Sequence, residues 1–175
     1  IDIDPRKFND FYPCAVALKG DAQQTLLALL ERLPPAPRNA DAASQKVATL
    51  LEAVERGHGP LQTIHQGILE RIEAELPANA FISSDMTQLA YTGNYAYRSR
   101  APRSWLHPTG YGTLGYGLPA GIGAKFGAPL RPGLVLVGDG GFLYTAQELA
   151  TAVEELHSPL VVLLWNNDAL GQIRD

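Results

Sequence analysis

With a single cysteine, Cys14, this 175-residue chain has no internal disulfide available to it, which fits a reducing compartment. It also lacks any apolar run of about 18 residues and any signal-peptide pattern, so no membrane span is expected and the cytoplasm is the expected location. No basic cluster is present. With 14 Lys and Arg against 18 Asp and Glu, and a net charge of −4, nucleic acid is not expected as a partner, because phosphate binding needs Lys and Arg concentrated on one surface. His58, His65, His107 and His157 are scattered without metal-ligand spacing and are read as structural or surface residues. A starting methionine is missing too: the chain opens on Ile1 in what looks like a strand, and closes at Asp175, eight positions past Asn167, before any helix covers that edge. Both ends are therefore expected to be cut. What is there is 46% apolar and 18% charged, enough for one domain of roughly 100 to 150 residues plus flanking pieces.

The most informative stretch runs from Leu134 to Ala169. Leu134 to Val137 is an unbroken β-favouring run that stops at Gly138-Asp139-Gly140-Gly141, where glycines let the backbone bend and approach a ligand closely. Thr145 and Glu148 form a T-x-x-E capping box that predicts a helix start, with Ala146, Leu149, Val153 and Leu156 on one face. His157-Ser158-Pro159 ends that helix. Leu160 to Trp165 then reads as a second strand, buried on both faces, leading into Asn166-Asn167-Asp168. Parallel strands joined by a helical crossover place their carboxyl ends on one edge of the sheet, so Asp139 and Asn167 are expected to meet although 28 positions separate them. A carboxylate, an amide oxygen and a backbone carbonyl just beyond Asn167 are hard oxygen donors, suited to a magnesium ion that shares phosphate oxygens.

Gly138-Asp139-Gly140, then 25 residues, then Asn166-Asn167 resembles the metal and diphosphate motif of thiamine diphosphate-dependent enzymes, in the acetolactate synthase and 2-ketoacid decarboxylase branch. The resemblance implies that Asp139, Asn167 and the carbonyl of Ala169 bind Mg2+, and that Gly138, Gly140 and Gly141 approach the diphosphate. Many members carry glycine where Ala169 stands, but a main-chain carbonyl does not depend on the side chain. It implies an α/β fold, a mostly parallel sheet with helices on both faces, truncated at both ends. Residues 1–33 would be the tail of a middle domain, 34–60 a linker, and 61–175 the C-terminal cofactor-diphosphate domain, incomplete at its end.

Taken in order, the chain begins with Ile1 to Leu33: a strand remnant, a polar turn, and a helix started by Asp21 and lined by Leu26, Leu27, Leu29, Leu30 and Leu33. Pro34-Pro35-Ala36-Pro37 begins an extended linker. Residues 39–56 are predicted helical up to Gly57-His58-Gly59-Pro60. Leu61, Ile64, Ile68, Leu69, Ile72 and Leu76 then recur at helical spacing and predict one buried stripe. Residues 80–83 form a short strand, and Ser84 to Gln88 a ligand loop entering a helix. By resemblance Gln88 lies near the diphosphate; acetolactate synthases usually have histidine directly after that glutamine, where Leu89 stands here. Residues 98–108 are predicted to be a loop with a short extended segment.

Gly110-Tyr111-Gly112-Thr113-Leu114-Gly115 contains G-x-G-x-x-G, which alone suggests a dinucleotide fold, but that fingerprint must directly follow a buried strand and residues 103–108 make a poor one. The family supplies another account, in which this is the pyrimidine side of the thiamine site. There the Gly112 carbonyl accepts from the aminopyrimidine, Thr113 lies in the binding loop, and Leu114 sits beneath the cofactor and bends it so that its own amine activates the ring. Residues 115–127 make a Gly- and Ala-rich helix for close packing.

The resemblance implies decarboxylation of a 2-ketoacid with carboligation, as in acetolactate synthases. The run from Asn167 to Arg174 departs from the synthase pattern at Gln172, where methionine is common, so a non-ligating decarboxylase, for example of 5-guanidino-2-oxopentanoate, is the second reading. A non-catalytic thiamine diphosphate- or dinucleotide-binding module is the reading from another class. The implied partners are the ketoacid and the pyrimidine-binding domain of a neighbouring subunit, which supplies the activating glutamate, within a homodimer or homotetramer. FAD could belong to the missing middle domain. The chain alone is therefore expected to be inactive.

Overall fold

The computed structural model describes residues 1–34 and 40–174, so most of the expected proline linker lies outside the described residues. The chain divides into two compact units, Ile1–Glu52 and Ala53–Asp175. In the first, the expected strand remnant is a single parallel bridge between Asp2 and Lys19. Helix α1 (Ala22–Arg32) starts where the sequence placed it: Asp21 is extended, and its carboxylate accepts from the Gln24 amide at 2.9 Å. Helix α2 (Ala40–Arg56) is the alanine-rich segment.

The second unit is the α/β domain. Its elements are α3 (Pro60–Glu75), β1 (Phe81–Ser84), α4 (Gln88–Ala96), β2 (Trp105–Leu106), α5 (Gly117–Gly127), β3 (Gly133–Gly138), α6 (Asp139–Thr145), α7 (Glu148–Glu155), β4 (Val161–Trp165) and α8 (Gly171–Arg174). The four strands are ordered β2-β1-β3-β4 and every pair is parallel. Strand β3 is buried throughout because helices cover both faces. Leu134 and Leu136 pack with Ile82, Leu69 of α3 and Leu89 of α4. Val135 and Val137 point the other way, onto Leu118 and Ile122 of α5 and Leu156 after α7. Full burial of each such side chain contributes about 1.5–3 kcal/mol. The small residues of α5 let it sit directly on the sheet: a Cβ on Gly121 would fall 2.5 Å from Val135 Cγ2. Among the described residues, no helix is long and apolar enough to cross a membrane.

Four expectations need correction. The capping box is not formed: Asp139 already begins a helix, Thr145 is its last residue, and the next helix starts at Glu148 without a side-chain cap. Gly138, extended with φ −81° and ψ 160°, is the true helix entry, so the glycine turn and the helix start coincide. Strand β4 is not buried on both faces. It lies at the end of the strand order, and Val161 and Leu164 are exposed. In α3 the outer positions of the expected stripe, Leu61 and Ile64, are exposed, while His65 takes a core place at 1% exposure. Finally, Gly171–Arg174 already form a helical turn where none was expected.

His65 Nδ1 lies 2.9 Å from Thr92 Oγ1, and its Nε2 has no hydrogen-bond partner among the described residues. The ring meets Trp165 edge to face at 5.4 Å. Burial lowers its pKa below the ordinary 6.5, so folding favours the neutral ring. That contribution is complete above the unfolded value and is lost as pH falls below 6.5 and through the lower folded value. His107 is shifted the same way, by burial, against the opposing charge of Asp85. Denaturant midpoints should therefore drop between about pH 7 and about pH 5, and His65→Leu should drop less than wild type; equal slopes would contradict this account.

Candidate functional site

Parallel pairing brings the carboxyl ends of β1, β3 and β4 to one edge, and each end carries polar residues into a shared cavity. From β1 the chain passes through Ser84, Asp85, Met86 and Thr87 into α4, whose first residue is Gln88. From β3 it passes through Gly138 into α6, whose first turn holds Asp139, Gly140 and Gly141. From β4 it passes into Asn166, Asn167 and Asp168, the last with φ 50°. The loop from Gly112 to Leu114 closes the fourth side, with Gly112 at φ 65° and Gly115 at φ 84°, a region that favours glycine.

Nine of the residues singled out in the sequence line this one cavity: Gln88, Gly112, Leu114, Gly138, Asp139, Gly140, Gly141, Asn167 and Ala169. Thr113 does not; it is exposed. Met86 and Thr87, inside the expected ligand loop, line it too, and so do residues that sequence reasoning missed, among them Tyr91, Leu170, Gly171 and Ile173. The helical spacing of Tyr91 from Gln88, both in α4, was the available signal for Tyr91. No pattern pointed to the others. Leu89, the departure noted beside Gln88, is fully buried in the core with Ile82 and so takes no part in the cavity.

Hydrogen bonds fix the Asn167 amide. Its Nδ2 donates to Gln88 Oε1 at 3.0 Å, and its Oδ1 accepts from the Ala169 amide at 3.1 Å. One lone pair of that oxygen is left for another partner. The Asp139 side chain makes no hydrogen bond or ion pair among the described residues, although the residue is only half exposed. An unpaired, partly buried carboxylate beside an oriented amide oxygen is a donor set that fits magnesium. No cluster of three His, Cys, Asp or Glu residues is present among the described residues, so any metal here draws on neutral oxygens. Glycines keep the backbone of this cavity close-packed. The amides of Gly140 and Gly141 are in a first helical turn, where they have no partner within the helix. A Cβ on Gly141 would come within 2.8 Å of Asp85 Oδ1, and one on Gly112 within 2.7 Å of Met86 Cε.

The family described as thiamine pyrophosphate enzyme, C-terminal TPP binding domain, matches residues 85–175. Over 175 residues the chain is 77% identical to a Pseudomonas aeruginosa protein named probable 2-ketoarginine decarboxylase, covering 100% of this chain and 31% of that one. It is 33% identical over 177 residues to the large subunit of Escherichia coli acetolactate synthase isozyme 1, covering 99% of this chain and 31% of that one. The thiamine diphosphate-dependent 4-hydroxybenzoylformate decarboxylase of Rhodococcus jostii RHA1 is similar in structure, with a TM-score of 0.56 and 27% identity, over 63% of this chain and 20% of that one. The chain thus spans about a third of the length of its curated relatives.

Gly171 tests the Gln88–Asn167 pair. A Cβ there would meet Gln88 Nε2 at 2.7 Å and Asn167 Nδ2 at 2.9 Å, both ends of flexible side chains. Gly171→Ala should therefore weaken binding of thiamine diphosphate by about tenfold. The unfolding midpoint should stay within about 0.5 kcal/mol of wild type. Calorimetry on the intact protein reads the first quantity, and unchanged affinity would show that the pair does not shape the site.

Proposed function

This chain belongs to the thiamine pyrophosphate enzymes, whose C-terminal TPP-binding domain matches its residues 85–175, and from that premise we propose that the intact protein is a magnesium-dependent decarboxylase of a 2-ketoacid with a long cationic side chain. The observation that carries the substrate class is the 77% identity over the whole chain to a protein named for 2-ketoarginine, against 33% to an acetolactate synthase subunit. In this reading the bond between C1 and C2 breaks, carbon dioxide leaves, and C2 takes a proton to give an aldehyde. The carboligating outcome implied by the broader resemblance becomes the second reading.

Bound thiamine diphosphate supplies the electron sink that this chemistry needs. The chain's own residues hold it. The Asp139 carboxylate, the free lone pair of Asn167 Oδ1 and the Ala169 carbonyl bind magnesium, while the Gly140 and Gly141 amides face the diphosphate. Gln88 keeps the Asn167 amide turned so that its oxygen, not its nitrogen, is offered to the ion. Gly112 and Leu114, which line the same cavity, would hold the aminopyrimidine half of the cofactor, the first through its carbonyl and the second through its side chain. No contact is proposed for Thr113. Residues 1–33 close a preceding domain and 61–175 form the cofactor domain. A neighbouring subunit of a homodimer or homotetramer provides the pyrimidine-binding domain and the glutamate.

Two measurements on the intact protein test this. With magnesium and thiamine diphosphate, 5-guanidino-2-oxopentanoate should release carbon dioxide and yield the matching aldehyde, while pyruvate should give no acetolactate. Acetolactate from pyruvate, with no turnover of the guanidino acid, would reverse the two readings. Asp139→Ala should abolish the magnesium dependence of cofactor binding in calorimetry, because it removes the only anionic ligand proposed for the ion. An unchanged magnesium-dependent affinity would remove Asp139 from the site.

A further inference from the structure

Asp85 follows the last residue of β1, is fully buried, and figured in the sequence only as one member of the Ser84 to Gln88 loop, with no role of its own. Its carboxylate accepts three backbone amides. Oδ1 receives Met86 N at 2.7 Å and Gly115 N at 3.1 Å, and Oδ2 receives Gly117 N at 2.7 Å. Gly117 is the first residue of α5, and the residue before it, Tyr116, has helical backbone angles and makes no side-chain cap. Asp85 thus meets, from 32 positions upstream, the orphan amide that a local Ser or Asp would ordinarily satisfy. With three of its roughly four acceptor sites occupied, the side chain has little left for a metal or a substrate proton.

The position of these bonds matters more than their number. Gly115 immediately follows Leu114 and sits at φ 84°, so the bond to its amide fixes the turn that presents Gly112 and Leu114 to the cavity. We propose that Asp85 is a positioning residue for the cofactor: by holding the Gly115 and Gly117 amides, it sets where the Gly112 carbonyl and the Leu114 side chain stand. The proposal rests on reading that loop as the pyrimidine side of a thiamine diphosphate site. It gives Asp85 no role on the metal side, which belongs to Asp139 and Asn167.

That division supplies the test. Asp85→Asn keeps the shape but turns an amide group toward backbone N–H donors, which loosens the loop. In the intact protein, affinity for thiamine diphosphate with magnesium should fall by about tenfold or more, while affinity for inorganic diphosphate with magnesium stays within about twofold. A residue needed only for folding would move neither value once the variant has folded, so two unchanged affinities, or an equal fall in both, would overturn the proposal. Should the variant not fold, hydrogen exchange on the wild type decides. The Gly115 and Gly117 amides should exchange slowly without cofactor, slow further with thiamine diphosphate, and not respond to inorganic diphosphate with magnesium. Fast exchange, or no response to the cofactor, would overturn it. A wild-type protein that binds neither ligand would remove the underlying cofactor reading and this proposal with it.

Discussion

The site depends on the in-register pairing of β3 with β4, from Leu134 with Val161 to Gly138 with Trp165. Because side chains alternate along a strand, a slip of one residue would turn Val135 and Val137 away from α5 and Leu134 and Leu136 away from α4. The same slip would shift Asn167 along the edge relative to Asp139. The two-sided core therefore fixes the geometry of the oxygen donors, and the site needs no separate scaffold. Pairing of β1 with β3, through Ser84 opposite Leu136, extends that control to Asp85 and Gln88.

Two carboxylates at neighbouring strand ends show how burial assigns roles. Asp85 is fully buried and satisfied by three amides of the protein itself. Asp139, one strand over, is half-buried and has no partner among the described residues. Desolvating a carboxylate is costly unless donors replace water, which is why the buried one is saturated. The other keeps access to solvent and can exchange water for an ion.

Much of this was legible in the sequence because the signals were local. An apolar run closed by glycines gave β3, Asp21 gave the start of α1, and the spacing from Asp139 to Asn167 joined the ends of two parallel strands. What failed depended on neighbours that local pattern does not contain. Thr145 and Glu148 have the composition of a cap, yet Gly138 opens a helix earlier, directly off the strand. The apolar run of β4 reads as an inner strand, but its place in the strand order leaves one side unpaired. His65 is read from the sequence as structural or surface, and the approach of Thr92 and Trp165 makes it structural, a distinction that local pattern does not contain.

Asp85 is the clearest case of a role invisible in one dimension. In the sequence it is an acid in a short polar loop, and Tyr116 is a residue before a glycine-rich helix. Only folding brings the uncapped helix and the acid together. The glycine loop has few side chains and two backbone positions at positive φ, so it has little means of holding its own shape. Its conformation must be imposed from outside, by groups that accept its amides. A buried carboxylate at a rigid strand end does this well, since the strand cannot follow the loop if the loop moves. The flexible glycines that let the backbone approach a ligand and the rigid strand that keeps it in place are thus complementary parts of one design, joined through a single side chain.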